Sequence, residues 1–203
     1  MIGKCKRLFQ NILSRLERIA MKHFILFTGH MIDAKDRKEP RFPPYKEKQV
    51  EQEIYKHLLK QKQKTHDNLE GIASGACGGD IIFHEICAAL HIPTQICLGL
   101  PAEEFKKESV SFAGEHWDRR FNTLIEKLPA HILSKADEKK SRNIYEMTNE
   151  WMLDKALGAG GKNMTLLALW NGDIGDGKGG TQHMVAMAKE QGAEVAIIDI
   201  TKI

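Results

Sequence analysis

The chain has 203 residues, a length that suits one domain, and 42% of them are hydrophobic, enough for a core. A net charge of +3 without a long basic block does not by itself point to nucleic acid, and no apolar run approaches a membrane span. Cys5, Cys77, Cys87 and Cys97 form no CxxC pair and follow no signal peptide, so the expectation is a reduced, cytoplasmic protein.

The first element is a basic amphipathic extension over residues 1–21. Leu8, Ile12, Leu16 and Ile19 recur at helical spacing, with Lys4, Lys6, Arg7, Arg15 and Arg18 on the other faces. Phe9 is its only aromatic residue, so it reads as a docking or dimerisation helix rather than a membrane-surface one. The domain proper runs over residues 22–203.

From there, short apolar runs alternate with helical ones. "HFILFTG" reads as a strand. "KEKQVEQEIYKHLLKQ", with Val50, Ile54 and Leu58 four apart, reads as an amphipathic helix. "NLEGIAS" is a second strand, followed by a helix from about Asp80 to Leu90. "TQICLGLP" is a third strand, "EHWDRRFNTLIEKL" a helix and "AHIL" a short strand. "RNIYEMTNEWMLDKAL" is helical, "MTLLALW" is a buried strand, and "GGTQHMVAMAKEQG" is a helix stopped by Gly192. "EVAIIDI" closes as a strand. This alternation predicts an α/β fold: a Rossmann-like, mostly parallel sheet with helices on both faces.

Four unusual loops fall at the carboxyl ends of these strands: "TGHMID", "SGACGGD", "LPAEEF" and "WNGDIGDGKGGT". In open α/β sheets that edge binds ligands. The glycines Gly75, Gly78 and Gly79 permit positive φ and close backbone approach, and a helix N-terminus follows them, which favours an anion. Asp80, read as the helix cap, competes for the same donors. The alternative is a tight strand-to-helix turn, and the pattern is neither GxGxxG nor a Walker A sequence.

In the later loop, Lys178 offers a point charge, Thr181 a hydroxyl, and Asp173 and Asp176 acceptors for ribose hydroxyls. The long segment "GHMIDAKDRKEPRFPPY" brings Arg37 and Arg41 as closing cations, and His30 stands at ligand height. Asp80 and His84 lie one turn apart on one helix face, but with Cys77 they match no zinc spacing.

Taken together, "FTGHMID…PRFP", "ASGACGGDIIFHE", "LPAEEF…SV" and "ALWNGD…GKGGTQHMVAMAKEQGAEVAIID" resemble the SLOG superfamily. That group takes in LOG-type nucleotide phosphoribohydrolases, the DNA-processing protein fold and ligand-sensing domains of bacterial antiviral systems. The resemblance covers about Phe24 to Asp199 and is nearest to the TPR- or effector-associated sensing branch. It implies a Rossmann-like sheet that binds nucleotides or nucleotide-derived messengers. The hydrolases carry a PGGxGTxxE stretch; here "GKGGTQHM" keeps Thr181 but sets Met184 where the glutamate would be. A thioether neither stabilises an oxocarbenium charge nor handles a proton as a carboxylate does.

The resulting expectation is a sensor or sequestering module for a cyclic nucleotide or ADP-ribose-type signal, homo-oligomeric, acting with an effector partner, and needing no cofactor or metal. The ligand-binding residues expected are Thr28, Gly29, His30, Arg41, Ser74, Gly75, Cys77, Gly78, Gly79, Asp80, Asp173, Lys178, Gly179, Gly180 and Thr181. The rival reading is a nucleotide N-glycosidase with Glu85 as its catalytic carboxylate. A DNA-binding role is set aside on the weak charge and the lack of interleaved aromatics, so nucleic acid is not an expected partner.

Overall fold

The computed structural model describes residues 22–133, 143–173 and 180–203. The helix expected over residues 1–21, and the contacts expected of Asp176, Lys178 and Gly179, lie outside the described residues. Six strands form one sheet: β1 (His23–Gly29), β2 (Leu69–Ala73), β3 (Thr94–Leu98), β4 (Ala130–Ile132), β5 (Met164–Trp170) and β6 (Glu194–Asp199). Every neighbouring pair is parallel, in the order β4-β3-β2-β1-β5-β6. The described helices are α1 (Glu47–Lys64), α2 (Gly79–Ala89), α3 (Ala102–Ser109), α4 (Glu115–Lys127), α5 (Ile144–Ala156) and α6 (Thr181–Glu190).

Strand alternation decides which side chain serves which face. Along β1, Ile25 and Phe27 enter one core, with Leu167 and Leu169 of β5. Leu26 enters the other, with Leu166 and Ala168. The first core is closed by α1 through Val50, Ile54 and Leu58, by α2 through Ile81 and Phe83, and by α4 through Trp117, Phe121 and Leu124. The second is closed by α5 through Met152, Leu153 and Ala156, and by α6 through Met184, Val185 and Ala188. Burial on both faces explains why the strands read as near-continuous apolar runs.

Helix α3 is the element the sequence does not announce. It has eight residues and buries only Phe105 and Ser109, too few to mark a period. Two local expectations also change. Gly78 rather than Asp80 stands at the cap of α2, with φ at +99°. His84 does not pair with Asp80. Its Nε2 donates to the Ser74 carbonyl at 2.8 Å, which leaves Nδ1 to accept from the Thr94 hydroxyl at 2.8 Å. Burial lowers its pKa to about 4, so the ring is neutral and serves to hold the end of β2.

The chain builds from β1 outward to β4, then returns to place β5 on the other side of β1. The reversal lies between β1 and β5, where the loops leaving the two strands part and open a crevice.

One ion-pair network ties the helices of the first face. Arg120 on α4 donates to Glu85 on α2 at 2.8 and 2.5 Å and to Glu47 on α1 at 2.5 Å. Its guanidinium lies 4.0 Å from the centre of the Trp117 ring. Replacing Arg120 with alanine leaves two half-buried carboxylates without their partner. The variant is expected to lose roughly 2 kcal/mol of unfolding free energy in urea denaturation. Arg120→Lys is expected to recover little of it, because an ammonium cannot reproduce the fork and the stacking.

Candidate functional site

A cavity of about 450 Å³ occupies the crevice. All four loops singled out in the sequence reach it. Thr28, Gly29, His30 and Asp33 come from the end of β1 and the loop beyond, with Arg37 and Arg41. Ser74 and Asp80 follow β2. Gly99 and Phe105 follow β3. Trp170, Gly180 and Thr181 flank the loop after β5. Helix α5 closes the cavity from the other side through Tyr145, Thr148 and Met152.

The loop after β1 is shaped by one carboxylate. Asp33 accepts the backbone N–H of Arg41 and of Phe42, each at 2.9 Å, and its own N–H donates to the Phe42 carbonyl at 2.8 Å. Residues 33–42 are thereby pinched into a closed loop. Arg37 Nε lies 3.3 Å from Asp33 and donates to the Glu39 carbonyl at 2.9 Å, so the guanidinium is held at the cavity wall.

His30 joins the two strands of the switch point. Its N–H donates to the Leu169 carbonyl at 3.2 Å, and its carbonyl accepts from Gly79 N–H at 3.2 Å. Its ring Nε2 lies 3.3 Å from the Asn171 backbone nitrogen and 3.2 Å from the Asn171 Oδ1. Burial, the largest effect, and Arg41 lower the His30 pKa, while the side chain of Asn171 opposes them. These contacts tie the ring to Asn171 at the end of β5.

The two glycine-rich loops play different parts. Gly78 meets the protein's own chain: a Cβ there would lie 2.5 Å from the Ile32 nitrogen, at a backbone bridge between Met31 and Gly78. A Cβ on Gly79 would press on the Phe27 ring at 2.9 Å, and one on Gly75 on Phe121 at 3.0 Å. Gly75, Cys77, Gly78 and Gly79 do not line the cavity. Three N–H groups at the start of α2 are also taken: Gly79 by the His30 carbonyl, Ile81 by Ala76 and Ile82 by Gly78. The pattern "GIASGACGGD" therefore serves close packing of helix, strand and loop.

At α6 the case differs. Gly180 caps the helix, and the N–H groups of His183 and Met184 turn back to its carbonyl. Among the described residues, Thr181 and Gln182 keep the outward N–H groups of a helix N-terminus, and Gly180 and Thr181 line the cavity.

Asp80 is the cavity's most perturbed group. Burial pushes its pKa up to about 7, against the Ala76 N–H that donates to it at 3.2 Å. Cys77, also buried, has its thiol pushed up to about 12 and stays protonated. Glu85 is bound to Arg120 and does not line the cavity; neither does Asp173, whose carboxylate accepts from the Asn171 amide. Met184 is fully buried in the second core.

The cavity also holds residues the sequence does not single out. Tyr145 donates its hydroxyl to Glu108 at 2.7 Å, and Phe112 stands on the cavity wall. A lone tyrosine near the start of a helix and a phenylalanine in a short polar turn carry no spacing signal. Only the fold brings them to one wall.

No protein-family model matches the sequence, and no curated protein matches it. The fold is similar to the X-ray structure of DNA processing protein A (DprA) from Streptococcus pneumoniae, at 12% identity and a TM-score of 0.48. The match covers 90% of this chain and 52% of that one, so the chain spans about half the length of the structure it resembles. The expectation that nucleic acid is no partner is corrected here. The similar structure is titled a DNA processing protein, and a net charge summed over the chain does not describe the field of a cavity walled by Arg37 and Arg41.

The Asp80 environment has a measurable consequence. Its carboxyl is neutral in the fold up to about pH 7 but ionises near pH 4 in the unfolded chain. Between those values the folded state binds the extra proton, so this group's contribution to stability falls as pH rises and stays lost above 7. Asp80→Asn removes the effect. The variant is expected to match the parent near pH 4 and to exceed it at pH 8 by on the order of a few kcal/mol in denaturant unfolding. The opposing His84 titration is common to both proteins and cancels in the difference.

Proposed function

We propose that this protein holds a nucleotide-derived small molecule in the carboxyl-edge cavity and does not cleave it, as a sensor or sequestering module. The observation that carries the reading is the make-up of that one cavity. It sits at the switch in strand order, and Arg37, Arg41 and the α6 N-terminus line it together with aromatic side chains. Cations and helix N–H groups suit a phosphate, and a volume of about 450 Å³ suits a ligand of nucleotide size. Lys178 and Gly179 belong to the same proposal through their place in the sequence before Gly180. The motif resemblance supports a cyclic nucleotide or ADP-ribose-type signal, as in antiviral sensing domains.

Holding is favoured over cutting by the placement of the carboxylates. Glycosidic hydrolysis ordinarily uses a pair of them, one to stabilise or attack the sugar and one to move a proton. Among the cavity's carboxyl groups, Asp33 is bound by two backbone N–H groups and Asp80 by one. Glu85 is held in an ion pair on the first-face helices. Glu108 accepts the Tyr145 hydroxyl on the cavity wall, so Asp80 and Glu108 are the groups a hydrolytic reading has to use.

The test is calorimetric titration with 5′-AMP and ADP-ribose, with a short oligodeoxyadenylate in parallel, because free and strand-borne nucleotides share the same chemistry. Saturable binding of the mononucleotides is expected. Arg37→Ala and Arg41→Ala are each expected to weaken it about tenfold or more. Unchanged affinity in both variants contradicts the phosphate assignment, and binding of the oligonucleotide alone contradicts the small-molecule reading. Incubation with AMP, NAD and ADP-ribose, followed by chromatography, is expected to release no base. Release that disappears in Asp80→Asn or in Glu108→Gln makes the protein a hydrolase.

A further inference from the structure

The wall of the cavity on the β3 side differs from the cationic wall, and its composition narrows the ligand. Phe112 is 44% exposed and Tyr145 39%. Both line the cavity, and neither stacks on another ring among the described residues. Their exposed faces are therefore available to a planar guest. Between them in character stands Glu108, also on the cavity wall. Its Oε2 accepts the Tyr145 hydroxyl at 2.7 Å, which leaves Oε1 to accept from a guest.

These groups are well placed relative to the N-terminus of α6. Glu108 belongs to α3, which follows β3, and the start of α5 lies over Gly99 at the end of β3 through Ile144 and Thr148. Thr181 follows β5. In the sheet, β3 and β5 are three strand positions apart, about 14 Å. That separation is comparable to a nucleotide extended from base to phosphate.

We infer that Phe112, Tyr145 and Glu108 form a base subsite that selects nucleotides whose ring carries an exocyclic amine. The inference rests on the nucleotide reading of the cavity and adds which base it takes. The ring stacks on the aromatic faces, which any base satisfies. Selection comes from Glu108: a carboxylate offers only acceptors, so it rewards an amino group on the ring edge and gains nothing from a C–H in its place. Tyr145 acts twice, as a stacking surface and as the donor that fixes the Glu108 rotamer.

The test compares 5′-AMP with purine riboside 5′-monophosphate, which differ by the exocyclic amine alone, using the full chain and titration calorimetry. The parent protein is expected to bind AMP about tenfold more tightly. Glu108→Ala is expected to bring the two affinities together by weakening AMP only. Tyr145→Phe keeps the ring but not the donor and is expected to reduce the preference for AMP without weakening purine riboside 5′-monophosphate, whereas Tyr145→Ala is expected to weaken both ligands. Circular-dichroism melting checks that each variant folds; Glu108 is exposed, so its loss is expected to leave the melting temperature unchanged. Equal affinities of the parent for the two nucleotides overturn the subsite while leaving the nucleotide reading intact. Binding of neither overturns both.

Discussion

The site depends on the reversal of strand order between β1 and β5, and on one residue that holds the reversal closed. His30 leaves β1 with its N–H on Leu169 of β5, its carbonyl on Gly79 of α2 and its ring on the Asn171 backbone. Three elements that come from distant parts of the chain are thereby fixed around a single residue. The close approach this demands explains Gly78 and Gly79, where a Cβ would collide with the Ile32 nitrogen and with Phe27. Once the reversal is fixed, the loops leaving β1, β2, β3 and β5 open on one cavity, and α5 covers it.

The alternation of apolar runs was enough to read the fold class, the strands and most of the helices, because a sheet buried on both faces writes its strands as continuous apolar segments. The abrupt change in loop composition at the carboxyl edge was legible too, and the cavity opens there. What the individual glycines do was not legible. "GIASGACGGD" suits a phosphate cradle and a tight packing turn equally well. Only the contacts of Gly75, Gly78 and Gly79 with Phe121, Ile32 and Phe27 separate the two. Sequence offset likewise suggested an Asp80–His84 pair on one helix face. The fold turns His84 to the Ser74 carbonyl and Thr94, because a buried imidazole needs partners at both nitrogens. Glu108, Phe112 and Tyr145 were invisible, since their relation is set by α3 and α5 meeting over the end of β3.

The proposal of holding over cutting rests on where the carboxylates stand. Met184 fills the core below α6, and Glu85 stiffens the packing of α1, α2 and α4 through Arg120. Asp33 is consumed in shaping its loop. Of the carboxyl groups that line the cavity, Glu108 accepts the Tyr145 hydroxyl, and Asp80 is buried and neutral up to about pH 7. The cavity thus has cations, a neutral acid and aromatic side chains in its lining, the combination on which the nucleotide proposal rests.

The most direct measurement is a crystal structure of the protein grown with 5′-AMP. The account predicts the nucleotide in the carboxyl-edge cavity, with its phosphate between Arg37, Arg41 and the Thr181 N–H and its base toward Tyr145 and Phe112. A nucleotide bound elsewhere on the molecule, or in the cavity with its phosphate against Gly78 and Gly79, contradicts it.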